Sequence, residues 1–151
     1  MSTYDISIAN CVVKPDDALG LPADASLLVR QGLCRVALPL IDARSALARI
    51  RELGGDAYLV PVEYRSPFTS LFAARAIALQ VHAQMIAAGR DLEDIDQGRD
   101  DLLWWTFRAN DREAISRDVI PGCVLISVDK LDGHIRTDGE YRAWLELSRV
   151  A

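Results

Sequence analysis

"SPFTSLFAARAIALQVHAQMIAAGR", residues 66–90, is the longest run of this chain that reads as one element. Ser66 offers a cap hydroxyl, Pro67 carries the φ of a first helical position, and Gly89 takes the left-handed conformation that stops a helix. The spacing predicts a helix over 67–88, and about 22 residues at about 1.5 Å each make a rod of roughly 33 Å, as long as a small domain is wide. Phe68, Leu71, Phe72, Ile77, Leu79, Val81, Met85 and Ile86 cover most of its circumference, leaving a narrow stripe through Arg75, Ala78 and His82 for water. Such a helix must be wrapped, most simply by a curved sheet.

The segments upstream supply strands. "DISIANCVV" (5–13) alternates Ile6 and Ile8 with polar or small residues, as a strand with one wet face does, and "KPDDALGLPADAS" (14–26) reads as a long loop. "SLLVRQGLCRVALPLI" (26–41) reads as one or two strands, with Pro39 confining its end to an edge or strand terminus. Asp42 then stands as N-cap of a helix over 43–53, with Leu47, Ile50 and Leu53 on one face and Gly54-Gly55 as its stop. In "AYLVPVEY" (57–64) Pro61 removes a ladder donor, which places this strand at an edge or bulge.

Downstream, "LLWWTFRA" (102–109) and "CVLISVDK" (123–130) are rich in aromatic and β-branched residues and predict neighbouring strands around a turn-or-helix segment, 110–122. Tyr141, Trp144, Leu145 and Leu147 suit a short terminal helix. The expectation is a single α+β domain spanning 1–151, a curved antiparallel sheet on one long central helix with smaller flanking helices.

Cys11, Cys34 and Cys123 are odd in number and widely spaced, so they predict neither a disulfide framework nor a zinc site. With no signal-like N-terminus, and with Leu71–Ala88 broken by Arg75, Gln80, His82 and Gln84, the expected location is the cytoplasm, without a membrane partner.

The net charge of −5 is concentrated in residues 90–101, where Asp91, Glu93, Asp94, Asp96, Asp100 and Asp101 face only Arg90 and Arg99. That field repels nucleic acid and attracts a basic protein, unless the segment is a solvated loop. Trp104 and Trp105 are adjacent in a strand, so only one enters the core. The other is either a binding anchor beside the acids or is covered by the terminal helix.

"ISVDKLDGHI" (126–135) gathers acids and a histidine, but Asp132-Gly133 after a β-branched run is a hairpin signal. Leu131 and Gly133 stand where a calcium loop starting at Asp129 needs oxygen ligands, so no EF-hand is expected. Cys123 and His134 are the only local nucleophile and base, and Cys123, opening an apolar strand, reads as core. No phosphate-binding glycine loop, nucleophile elbow or metalloprotease motif is present. The expectation is no catalytic residue, metal or cofactor. A ligand pocket between sheet and helix, using Glu63, Arg75 and His82, is the alternative.

A long helix followed by Trp105 and Phe107 on one strand, and by Val128, Asp129, Lys130, Gly133 and Ile135 on the next, resembles the small cystatin-like or NTF2-like immunity proteins of bacterial toxin systems. The resemblance covers about a quarter of the chain and implies a partner to neutralise. The function expected is therefore stoichiometric binding of a basic protein through the acidic segment and a tryptophan, as an immunity or inhibitor protein. The opposing readings are a small-molecule-binding protein or enzyme, and a homo-oligomer.

Overall fold

The computed structural model describes residues 2–9, 32–52 and 54–149. The expected loop 14–26 lies outside them, as do Cys11 and Leu53. The protein is α+β, with two three-stranded antiparallel sheets where one curved sheet was expected. The strands pair within two compact units, Met1–Arg65 with Asp138–Ala151, and Ser66–Thr137. No helix among the described residues is long and apolar enough to cross a membrane.

In the first unit β1 (Thr3–Ala9) is the central strand, flanked by β2 (Gly32–Pro39) and β3 (Asp56–Pro61). Both prolines end edge strands, where a missing N–H costs the ladder nothing. Helix α1 (Leu40–Glu52) starts directly after Pro39, three residues before the expected first helical position, so Asp42 sits in its first turn instead of capping it. Ala43, Ala46, Leu47 and Ile50 bury its inner face against Ile6, Ile8, Cys34, Leu38, Ala57 and Leu59.

Asp5 points away from Ile6 and is fully buried. Its carboxylate accepts two 2.7 Å hydrogen bonds from the Arg65 guanidinium and one of 3.1 Å from the Ala37 N–H. Ala37, at φ 47°, sits where the β1–β2 register shifts, so the carboxylate fixes the bulge. The same contact holds the Arg65 guanidinium above its ordinary pKa. The terminal helix α4 (Asp138–Leu147) closes the edge of β3: Trp144 Nε1 donates to the Leu59 carbonyl at 2.8 Å, and the Leu59 N–H donates to Ser148 Oγ at 3.2 Å.

In the second unit β5 (Trp104–Asn110) is central, between β4 (Arg99–Asp101) and β6 (Cys123–Asp129), and α3 (Arg112–Ser116) lies in the β5–β6 connection. Helix α2 (Leu71–Ala87) is capped by Ser70, whose hydroxyl accepts from the Ala73 N–H at 3.1 Å, so it starts four residues later than expected. Ser66 and Pro67 do not begin it because the next turn is already committed to the sheet. The Thr69 N–H donates to the Lys130 carbonyl, and the Thr69 carbonyl accepts from Trp105 Nε1 at 2.8 Å. Gly89, at φ 100°, ends the helix as expected.

The buried face of α2 is the one the sequence assigns to water. Ala74, Ala78 and His82 are its buried residues, packed with Phe107, Ala109, Ile126, Val128, Leu92 and Ile95. The small side chains let the backbone approach the sheet, Ile77, Val81 and Met85 pack partly buried beside them, and Phe72, Leu79 and Ile86 turn outward.

Gly98, at φ 85°, brings the chain onto Phe107, where a Cβ would lie 2.5 Å from the ring. Gly98→Ala should therefore destabilise the protein by about 2–4 kcal/mol through left-handed strain and overpacking. Urea denaturation measures this, and an unchanged midpoint would refute the close approach.

Candidate functional site

The acidic segment is an irregular edge of the second sheet. The Glu93 N–H donates to the Asn110 carbonyl and the Asp96 N–H to the Arg108 carbonyl, each at 2.8 Å, before β4 continues along the same side of β5. The strand over 99–101 had no signal in the sequence, since Arg-Asp-Asp has poor β-propensity and is held by its ladder with β5 and by side-chain bonds to residues outside it.

Most of its carboxylates work inside the unit. Asp91 pairs with Arg112 at 2.8 Å and holds that guanidinium above its ordinary pKa. Glu93 accepts from Asn110 Nδ2, and Asp96 Oδ1 accepts from the N–H groups of Gly98 and Arg108. Asp100 binds Lys130 Nζ and the Leu102 N–H, and Asp101 accepts from Thr106 Oγ1. Among the described residues no such bond ties the exposed Asp94.

Arg75 and His82 are clamps for this edge. Arg75 Nη1 donates to the Asp96 carbonyl, and His82 Nε2 lies 2.8 Å from the Glu93 carbonyl, which requires a proton on that nitrogen. Seven residues apart on α2, they hold the edge at two points. His82 is buried, so the water-facing stripe is corrected on both its position and its role. Glu63 belongs to the other unit, in the 3₁₀ turn Val62–Arg65. The expected pocket is thus not assembled within either unit. A shallow cleft of about 340 Å³ lies instead along the edge, lined by Asp94, Asp96, Arg108 and Asn110.

Neither tryptophan is offered outward as a free anchor. Trp104 is 3% exposed and stacks with the Arg136 guanidinium, 4.8 Å from its ring centroid. Trp105 is half-buried on the α2 side, bonded to Thr69, with the Lys130 ammonium 4.4 Å over its ring. Lys130 is itself buried and held between that ring and Asp100, so the acid that was to meet a basic partner already meets a lysine of its own chain.

The 126–135 stretch is a hairpin turn. Val128 bridges Ile135, the Asp129 N–H donates to the His134 carbonyl, and Gly133 takes φ 77°. Asp129, Asp132 and His134 present ligand atoms within 4.8 Å of one another, a set that suits a borderline cation such as zinc. Their bonds also have a plain structural account. Asp129 Oδ1 accepts from the Leu131 N–H at 2.7 Å, and Asp132 Oδ1 accepts from the His134 N–H at 3.0 Å and meets its Nδ1.

The outward face of α2 escaped the sequence reading. Phe72 is 87% exposed, Leu79 and Ile86 are each 45% exposed, and Phe68, just before the helix, is 87% exposed. The signal was present as large residues seven apart at 72, 79 and 86, on a different side of the helix from the small ones four apart at 74 and 78. It was masked because apolar residues surround the helix and polar Arg75 and His82 mark the wrong side.

The His134 backbone N–H, and then its ring, hold the Asp132 carboxyl below the ordinary carboxylate range. A carboxylate with a depressed folded pKa adds stability above its unfolded pKa, about 3.9, and loses it as pH falls through the folded value. Asp132→Ala should therefore lower the urea midpoint at neutral pH, with the difference from wild type closing below about pH 4; a difference that persists undiminished in acid would remove the carboxylate's role. Comparison with family models, curated proteins and solved structures yields no match for the chain.

Proposed function

We propose that the chain acts by stoichiometric protein binding, and that its contact surface is the outward face of α2. The observation that carries this reading is the exposure of Phe72, Leu79 and Ile86 along one line of a well-capped helix, with Phe68 at its start. A contiguous apolar strip costs free energy in water, and exposed strips of this kind mark protein interfaces. Aromatic residues supply the largest anchoring area per side chain.

Neutralisation of a basic partner through the acids draws less support, because Asp91, Glu93, Asp96, Asp100 and Asp101 are engaged within the unit. Their charges still bias the field along that edge and would steer a basic protein without anchoring it. The small-molecule alternative loses Arg75 and His82 to backbone carbonyls.

Replacing Phe72 and Leu79 together by Gln should weaken capture of the bound protein, another chain or the protein's own copy, by about 100-fold or more. Both positions are exposed, so the melting temperature should stay near that of wild type. Quantitative retention on immobilised wild-type and double-variant chains tests this. Equal retention by the two would place the interface elsewhere.

A further inference from the structure

We infer that the occupant of the α2 face is a second copy of this chain, paired through an antiparallel α2–α2 contact. This inference rests on the protein-binding reading of that face and names its partner. The stripe consists of Phe72, Ala76, Leu79, Ala83 and Ile86, all exposed, at spacings of four, three, four and three. At 100° per residue these five positions fall within about 80° of arc, the narrow seam that two helices share in a coiled-coil contact.

Large and small residues alternate along that seam, and the alternation is self-complementary in one direction. In an antiparallel pair whose two-fold axis passes between residues 77 and 78, Phe72 of one copy meets Ala83 of the other, and Leu79 meets Ala76. Every central layer then sets a bulky side chain against an alanine, which allows close approach of the helix axes without voids. A parallel pair would oppose Phe72 to Phe72 and Ala76 to Ala76, alternating crowding with gaps. The same patch on both copies is what a two-fold dimer requires.

Charge does not oppose the contact, since the only charged or titratable side chains of α2 are Arg75, on the flank of the seam, and the buried His82, and both are bonded to carbonyls of the sheet edge, those of Asp96 and Glu93. The available area is adequate but not large. Phe72 and Phe68 at 87% exposure, Leu79 and Ile86 at 45%, and the exposed Ala76 and Ala83 between them offer roughly 500 Å² per copy, about 1,000 Å² for a pair. That is the lower limit for a specific interface, so the dimer should be reversible, with a dissociation constant on the order of micromolar.

Sedimentation of the full chain under reducing conditions, over about a hundredfold range of concentration spanning that value, tests the pairing. Wild type should pass from monomer to dimer. Ala76→Glu, exposed and helix-compatible, should remain monomeric at the highest concentration, whereas Gln84→Glu, outside the seam, should behave as wild type. Mixing Ala76→Glu with Leu79→Lys, each monomeric alone, should restore a heterodimer, because only the antiparallel register sets Glu against Lys. A dimer that survives Ala76→Glu, or a mixture that stays monomeric, overturns the pairing. A monomeric wild type also overturns it: if the α2 face still captures another protein, the binding reading survives with a different occupant, and if it captures none, both fall.

Discussion

Two alanines set the side of α2 that meets the sheet. Ala74 and Ala78 are fully buried against β5 and β6, with Ile77, Val81 and Met85 of the same helix packed partly buried around them. Helix–sheet packing needs a close backbone approach when the sheet contributes the volume, here through Phe107, Ile126 and Val128. The sheet supplies most of the fully buried bulk, and Ile77, Val81 and Met85 fill the flanks of the contact. His82 completes the face because its ring finds the Glu93 carbonyl, the partner that makes a buried imidazole affordable. The outward position of Phe72, Leu79 and Ile86 follows from this choice, since all three lie about 140–180° round the helix from Val81, which packs on the core between Ala74, Ala78 and Met85.

The acidic segment shows how charge can be structural without being buried. Short edge strands offer few ladder bonds, and this one gains side-chain bonds to backbone N–H groups at Gly98, Leu102 and Arg108. Asp111 does the same for α3, accepting from the Ala114 N–H and pairing with Arg90; its bond to Arg90, and then that N–H, hold its carboxyl below the ordinary range. In the first unit Asp5 is the buried counterpart, where one carboxylate satisfies a guanidinium and a bulged N–H together. Carboxylates that read as a surface field in composition are, in space, mostly hydrogen-bond acceptors for the chain that carries them.

Local chemistry was legible where the deciding contacts are close in the chain. Pro39 ends an edge strand and Pro61 lies on one, Gly89 ends α2, Gly133 turns the 126–135 hairpin, and Leu47 and Ile50 face the first core, all as their immediate neighbours dictate, whereas 62–64, read as strand, form a 3₁₀ turn. Other features were settled at a distance. The sequence points to Ser66 as the cap of α2, and the structure uses Ser70 because Thr69 bonds Lys130 and Trp105, which lie far along the chain. β4 exists because β5 offers it a ladder, against its own weak propensity.

The residue pattern alone established an α+β chain, the identity and approximate extent of its main helices and most of its strands, and the absence of familiar catalytic motifs, because these depend on periodicity and on side chains near one another. Tertiary packing settled how the strands divide into two sheets, which face of α2 is dry, and where each acid and tryptophan spends its hydrogen bonds. Periodicity records that a helix has apolar and polar sides, but on one that is apolar nearly all round it cannot rank them. That ranking depends on the volume the opposing sheet already fills.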